Sequence, residues 1–323
     1  MNLRTTRKLV IAVVGALMAL LPFGVVPAVD PAGPAHAEIT TSLGVPQHLG
    51  FIAPRIETAT APFESGIGTR FTPAATETVS VTLAGESRPR SIVLHRTRSL
   101  DGAPVLTFEQ AAPAVGPWAE PDTAFLSYAV TDLDATGRRL ADNGFRLVAT
   151  ARDFTFWRGA GGVLVRLIAE SSFPAAESGR AGGLGPVRSF TLAPCDIAAV
   201  RDQLGTALGV RWKIPMAVPL PWEHTDGAVR PLVHQLHSSD ERAPHLSVES
   251  PDPAPAQTCA PDRTPVHLVY FTSDVVAAER RLLAAGMTPV ARVPMMVTYF
   301  RAGETGPYLE VGSTAFELAE YLP

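Results

Sequence analysis

Cysteine and lysine are nearly absent: a chain of 323 residues has two Cys, at 195 and 259, and among its 27 basic residues only Lys8 and Lys213 are lysine. No paired CxxC motif exists, so a zinc ribbon or dithiol redox centre has no support. No Gly-rich phosphate loop, Gly-x-Ser-x-Gly elbow or His-Glu-x-x-His is present, which removes the usual NTPase, serine-hydrolase and metalloprotease readings. A formal charge of −4 without a basic cluster leaves no footprint for nucleic acid. Beyond residue 29 no apolar run is long enough to cross a bilayer.

Proline and glycine are plentiful, at 30 and 26 residues. The N-terminus is also distinctive. Arg4, Arg7 and Lys8 precede the apolar run Leu9–Val29, and Ala35-His36-Ala37 follows. This order reads as a secretory signal cleaved after Ala37, spanning 1–37; a retained anchor is the alternative. Cleavage takes three positive charges and one negative with it and moves the formal charge to −6. The mature protein is then expected to be secreted or extracytoplasmic and not membrane-bound. Outside the cell an even pair of Cys is most simply a Cys195–Cys259 disulfide. Closing that loop would constrain the unfolded chain by roughly 4 kcal/mol.

The remaining length suggests two domains, and an internal repeat places the boundary. A shift of 140 lays His48-Leu-Gly-Phe-Ile-Ala-Pro54 on Arg188-Ser-Phe-Thr-Leu-Ala-Pro194, and Pro104–Phe108 on Pro244–Val248. A shift of 142 lays Tyr128, Asp132, Arg139, Leu140 and Gly144 on Tyr270, Asp274, Arg281, Leu282 and Gly286. At 144, Gly162 meets Gly306 and Leu167 meets Val311. The expected domains are 38–173 and 187–323, joined by a Gly/Ala/Ser-rich linker at 174–186.

Each half repeats again inside itself. Asp132 and Asp274 have the position of N-caps, and Gly144 and Gly286 fall where a helix ends left-handed. Ile56–Gly68 and Ile197–Gly209 predict the matching helices. Alternating runs predict strands at Thr78–Leu83, Ser91–Thr97, Val105–Gln110, Met216–Trp222, Pro231–His237 and His245–Glu249. Pro113–Pro121 and Pro251–Pro261 read as extended connections. The order is βαβββ, four times.

On these residues the chain resembles the vicinal oxygen chelate superfamily, the glyoxalase, bleomycin-resistance and dioxygenase group. The resemblance rests on His48-Leu-Gly-Phe, Leu106-Thr-Phe-Glu109 with Gly116-Pro-Trp118, Tyr128–Asp134, Gly162–Leu167, His267-Leu-Val-Tyr270 and Tyr308-Leu-Glu-Val311. It implies an α+β protein of two tandem glyoxalase-like domains, each of two βαβββ modules forming a half-open eight-stranded cup. It also implies metal ligands projecting inward from the first and last strand of each module.

Carried over one at a time, those positions are His48, Thr107, Phe125 and Arg166 in the first half, and Arg188, Ser247, His267 and Glu310 in the second. A catalytic site needs three protein ligands and an open position. The first half supplies one, with a cation where its last carboxylate belongs, so no metal is expected there. In the second half His267 and Glu310 could hold a divalent ion (Zn, Fe, Ni or Mn). Arg188 would repel it by several kcal/mol at ~4 Å and an effective dielectric near 20, or would fill the vacancy by pairing with Glu310.

His245, on the same strand face as Ser247, is the candidate third metal ligand, with His234 and Glu249 in reserve. Trp157 and Phe300 are expected to line the cup walls, and Arg158 and Arg301 to match at a strand end. The expectation is a secreted protein with degenerate metal sites that binds a small organic ligand near His48, Arg166, Arg188 and Trp157. The alternative is a metal-dependent lyase, epimerase or extradiol-type dioxygenase working in the second cup.

Overall fold

The computed structural model describes residues 43–100, 104–173, 184–224, 227–241, 243–250, 262, 264–303 and 307–321. The expected signal segment 1–37, most of the 174–186 linker, the connection Pro251–Pro261 with Cys259, and Gly306 lie outside them. The expected Cys195–Cys259 bridge therefore cannot be placed among the described residues.

The βαβββ order occurs four times. The first two modules are β1 (His48–Ile52), α1 (Ile56–Pro62), β2 (Ala75–Leu83), β3 (Arg90–Arg98), β4 (Val105–Ala112), then β5 (Ala124–Val130), α2 (Leu133–Asp142), β6 (Arg146–Thr150), β7 (Phe154–Arg158), β8 (Leu164–Ala169). The third is β9 (Ser189–Leu192), α3 (Ile197–Leu208), β10 (Met216–His224), β11 (Val229–Ser238), β12 (His245–Glu249). The fourth is β13 (Val266–Thr272), α4 (Val275–Ala284), β14 (Thr288–Val293), β15 (Val297–Arg301), β16 (Tyr308–Ser313), and a last helix α5 (Thr314–Tyr321) follows.

Local chemistry sets these elements. Asp132, Asp196 and Asp274 each accept from the backbone N–H three residues on, at 2.8–2.9 Å, satisfying one orphan donor of α2, α3 and α4. Helix α1 runs into a single π turn, Phe63–Ile67, which Gly68 stops at φ 84°.

The strands close into two barrels, ordered β1-β4-β3-β2-β6-β7-β8-β5 and β10-β11-β12-β9-β13-β16-β15-β14. One seam of each is thin. Among the described residues only Thr82↔Thr150 and Leu83↔Ala149 are paired between β2 and β6, and Glu223↔Arg292 and His224↔Ala291 between β10 and β14. The expected half-open cup is thus a closed sheet with one short seam. That open stretch explains Pro219 and Pro221 inside β10: over most of its length the strand has no second neighbour whose bonds a proline would remove.

Alternation along the strands sends one set of residues outward and the other into the barrels. The outward set, including Leu49, Phe51, Tyr128, Phe190, Leu268 and Tyr270, packs with the helices into one core cluster that takes in both halves. Across this seam the Gln203 side chain on α3 donates to Asn143 O at 2.8 Å and accepts from Ala160 N–H at 2.5 Å. Both barrels belong to one compact unit, Thr40–Pro323. The inward sets form two separate clusters, one per barrel. Among the described residues no helix is long and apolar enough to cross a membrane.

Candidate metal centre in the second barrel

In the second barrel β9 and β13 lie side by side, with His267 opposite Thr191, and each is flanked by the last strand of its own module. That arrangement brings inward residues of β12, β13 and β16 to one place. His267 Nε2 lies 3.2 Å from Glu310 Oε2 and 3.5 Å from Glu249 Oε1. One ligand atom from each of the three residues falls within 4.8 Å of the others. The side chains are 0–3% exposed.

Two buried carboxylates this close repel by about 3–4 kcal/mol at an effective dielectric near 20. Yet His267 is not hydrogen-bonded to either: both Nδ1 and Nε2 are buried and lack a hydrogen-bond partner. An imidazole nitrogen set between two carboxylate oxygens is the donor set of a divalent cation, and these residues fit one.

A second layer surrounds the trio. His234, on β11 and buried, puts Nε2 3.3 Å from Glu249 Oε2. Burial pushes its pKa down, with Glu310 opposing and His267 adding, to about 4, so the ring is neutral. The Tyr299 hydroxyl donates to Glu249 Oε1 at 3.5 Å, and its ring stands edge-on to His267, centroids 5.1 Å apart. Trp222 packs against Tyr299 at 5.3 Å, and its indole N–H is buried with no acceptor. Thr191 begins a run of buried hydroxyls: Thr191 to Ser189 at 3.4 Å, Ser189 to Ser247 at 2.8 Å, Ser247 to Ser238 at 3.1 Å.

The first barrel solves the same corner differently. Register makes Arg166 the counterpart of Glu310, Phe125 of His267 and Glu109 of Glu249. The Arg166 guanidinium, 3% exposed, is paired with Glu109 and also reaches Ser127 Oγ at 3.2 Å. It lies 4.5 Å above the Phe125 ring, a cation–π contact. Glu109 further accepts from Arg96 Nε at 2.7 Å and Trp118 Nε1 at 3.0 Å. Burial alone would raise the Glu109 carboxyl, but Arg166 and Arg96 overrule it and hold its pKa down to about 2.

Phe125 fills the rest of this interior because residue 50 is glycine; a Cβ there would stand 1.9 Å from the ring. Phe156 packs edge-on against it, and Trp118 edge-on against Phe156. A guanidinium thus occupies the corner where the second barrel offers carboxylates.

The candidate residues distribute as follows. His267 and Glu310 meet as the repeat requires, but the third member of the cluster is Glu249, two residues beyond the expected Ser247. The signal was present, since the 140-residue shift already lays Leu106-Thr-Phe-Glu109 on Leu246-Ser-Val-Glu249. His245 is buried four residues back along β12, about 13 Å at strand rise, with Nδ1 3.3 Å from Ser239 O.

Arg188 does not meet Glu310. It pairs outside the barrel with Glu317 of α5 at 2.6 Å, because register matches His48 with Ser189, and a one-residue offset turns a side chain to the other face. Trp157 and Phe300 also face outward into the shared core, Trp157 against Gly137 of α2, and do not line the cups. Arg158 pairs with Glu120 at 2.7 Å, and Arg301 lies 3.8 Å from Asp122.

His48 is buried at the Arg166 end of the first barrel, its ring 4.2 Å from Phe173. Burial, then Arg166, Arg98 and Arg96, lowers its pKa to about 3. The Pro113–Pro121 connection is not simply extended, for a 3-10 turn at Gly116–Ala119 tucks Trp118 into the barrel.

No protein-family model matches the sequence, and no curated protein matches it significantly. Solved structures do. A triple mutant of 4-hydroxymandelate synthase from Streptomyces coelicolor superposes with a TM-score of 0.53 at 12% identity, over 84% of this chain and 93% of that one. A Mn(II)-bound glyoxalase from Novosphingobium aromaticivorans gives 0.44 at 10%, over 84% and 82%. A xylose isomerase-like/4-hydroxyphenylpyruvate dioxygenase fusion protein gives 0.44 at 13%, over 90% and 54%.

The fold is that of the vicinal oxygen chelate superfamily. Within that fold this chain is a tandem pair in which the second barrel carries a Glu249–His267–Glu310 corner and the first carries Arg166 in its place.

Proposed function

We propose that this protein holds one divalent metal ion in its second barrel, through Glu249, His267 and Glu310, and acts there on a small organic molecule. The observation that carries the reading is the buried His267 Nε2, set between two carboxylate oxygens with no hydrogen-bond partner. A bound ion would act as a Lewis acid on substrate oxygens. The protein's own contributions follow from the residues present. Trp222 and Tyr299 give the interior an apolar aromatic wall that excludes water. Glu310 has His267 as its near neighbour, whereas Glu249 accepts from the Tyr299 hydroxyl at 3.5 Å and has His234 at 3.3 Å; of the two ligand carboxylates Glu310 is the one assigned to take up and return a proton.

One imidazole and two carboxylates form an oxygen-rich set suited to Mn, Zn or Ni, whereas iron oxygenases use two imidazoles and one carboxylate. Proton transfer of the lyase or epimerase kind is thus favoured over ring cleavage. The first barrel serves as a scaffold, its interior filled by Phe125, Arg166 and Trp118. Export through the basic, apolar and Ala-x-Ala start of the chain is part of the same proposal.

Metal titration followed by solvent-deuterium exchange into hydroxy-ketones tests the function. Exchange that needs the ion, and that is lost in a Glu310→Gln variant which still takes up the ion, supports it. Tight metal binding with no exchange would instead make the second barrel a ligand-binding site without chemistry.

A further inference from the structure

Resting on that metal site, we infer that His234 is a positioning residue: from β11, a strand outside the four corners of the barrel, it fixes the Glu249 carboxylate for the ion. Its Nε2 is 3.3 Å from Glu249 Oε2, while Glu249 Oε1 is the oxygen that faces His267 at 3.5 Å. One carboxylate oxygen thus lies against the His234 ring, with no hydrogen bond formed between them, and the other faces His267.

The repeat shows what this replaces. Arg96↔Glu109 and Leu236↔Glu249 are the matching cross-strand pairs, so His234 is the counterpart of Leu94 and Leu236 of Arg96. In the first barrel Glu109 takes a guanidinium from that neighbouring strand at 2.7 Å, and Leu94 is buried in the apolar interior cluster. The second barrel exchanges both residues. Arginine becomes leucine, which removes the fixed positive charge, and leucine becomes histidine, which restores a donor. A guanidinium carries a permanent charge that neutralises its carboxylate; the His234 ring packs 3.3 Å from Glu249 on the same side without that permanent charge, and limits where the carboxylate can turn. Outer partners of this type change metal affinity by roughly 10–100-fold when removed.

The test is titration of the purified chain with Mn²⁺ and with Co²⁺, following heat and the visible Co²⁺ spectrum, together with the unfolding midpoint of the metal-free protein. His234→Leu is expected to weaken both ions 10–100-fold and to shift the Co²⁺ bands, with the metal-free midpoint unchanged or raised. His234→Gln, which keeps a donor, is expected to stay within a few-fold of wild type. Leu236→Arg, which installs the first barrel's cation, is expected to abolish binding. Wild-type affinity in His234→Leu overturns the inference while leaving the metal site intact. A wild-type chain that takes up neither ion overturns both.

Discussion

Replacing Arg166 by methionine isolates the contribution of the guanidinium that occupies the first barrel. The side chain is 3% exposed and Glu109 is fully buried, so the substitution strands a carboxylate in an apolar interior. Breaking a buried pair in this way costs about 3–5 kcal/mol. Arg96 and Trp118 still reach Glu109, at 2.7 and 3.0 Å, which places the expected loss near the lower end. The cation–π contact with Phe125 adds on the order of 1 kcal/mol. Arg166→Met should therefore lose about 3–4 kcal/mol in urea denaturation and about 6–12 °C in Tm.

The double variant Arg166→Met/Glu109→Leu removes both charges and should regain most of that loss, with a coupling energy above ~1.5 kcal/mol. A single variant that costs less than ~1 kcal/mol, or a double variant no better than the single, would refute the view that Glu109 depends on this cation.

Other consequences are more local. Stability should fall as pH drops. Glu109 has a folded pKa of about 2, below its ordinary 4.5, so its contribution is complete above pH 4.5 and is lost as pH falls toward 2. His48, lowered from 6.5 to about 3, contributes a loss in the same direction beginning near pH 6.5; a flat unfolding midpoint between pH 7 and 4.5 contradicts the His48 part, and a flat one between pH 4.5 and 2 the Glu109 part. Gly50→Ala puts a Cβ 1.9 Å from the Phe125 ring and should cost about 1–3 kcal/mol, relieved by Phe125→Leu in a double-mutant cycle. Asp274→Ala removes the cap of α4 and should cost about 1 kcal/mol by chemical denaturation, with metal binding unchanged.

The repeat made the fold legible in the sequence because each module carries its own punctuation: Asp132 and Asp274 start helices, and Gly144 and Gly286 follow them with φ of 81°. Strand β12 was readable to the residue. Two members of the buried cluster, His267 and Glu310, are legible where the shift stays in phase. It failed where one residue had slipped, since the Arg188 and Ser189 alternatives differ only in phase yet lie on opposite faces of a strand. Glu249 stands only in reserve in the sequence, behind His245, because the repeat position is Ser247 and the clustered carboxylate lies two residues further along. Trp157 misled because an aromatic beside Phe156 says nothing of which of the two turns inward.

Metal content measured on purified mature chain tests the account most directly. It predicts one divalent ion per chain, lost in His267→Ala and retained in His48→Ala. A metal-free protein that cannot be loaded, or an ion that survives His267→Ala, would contradict it.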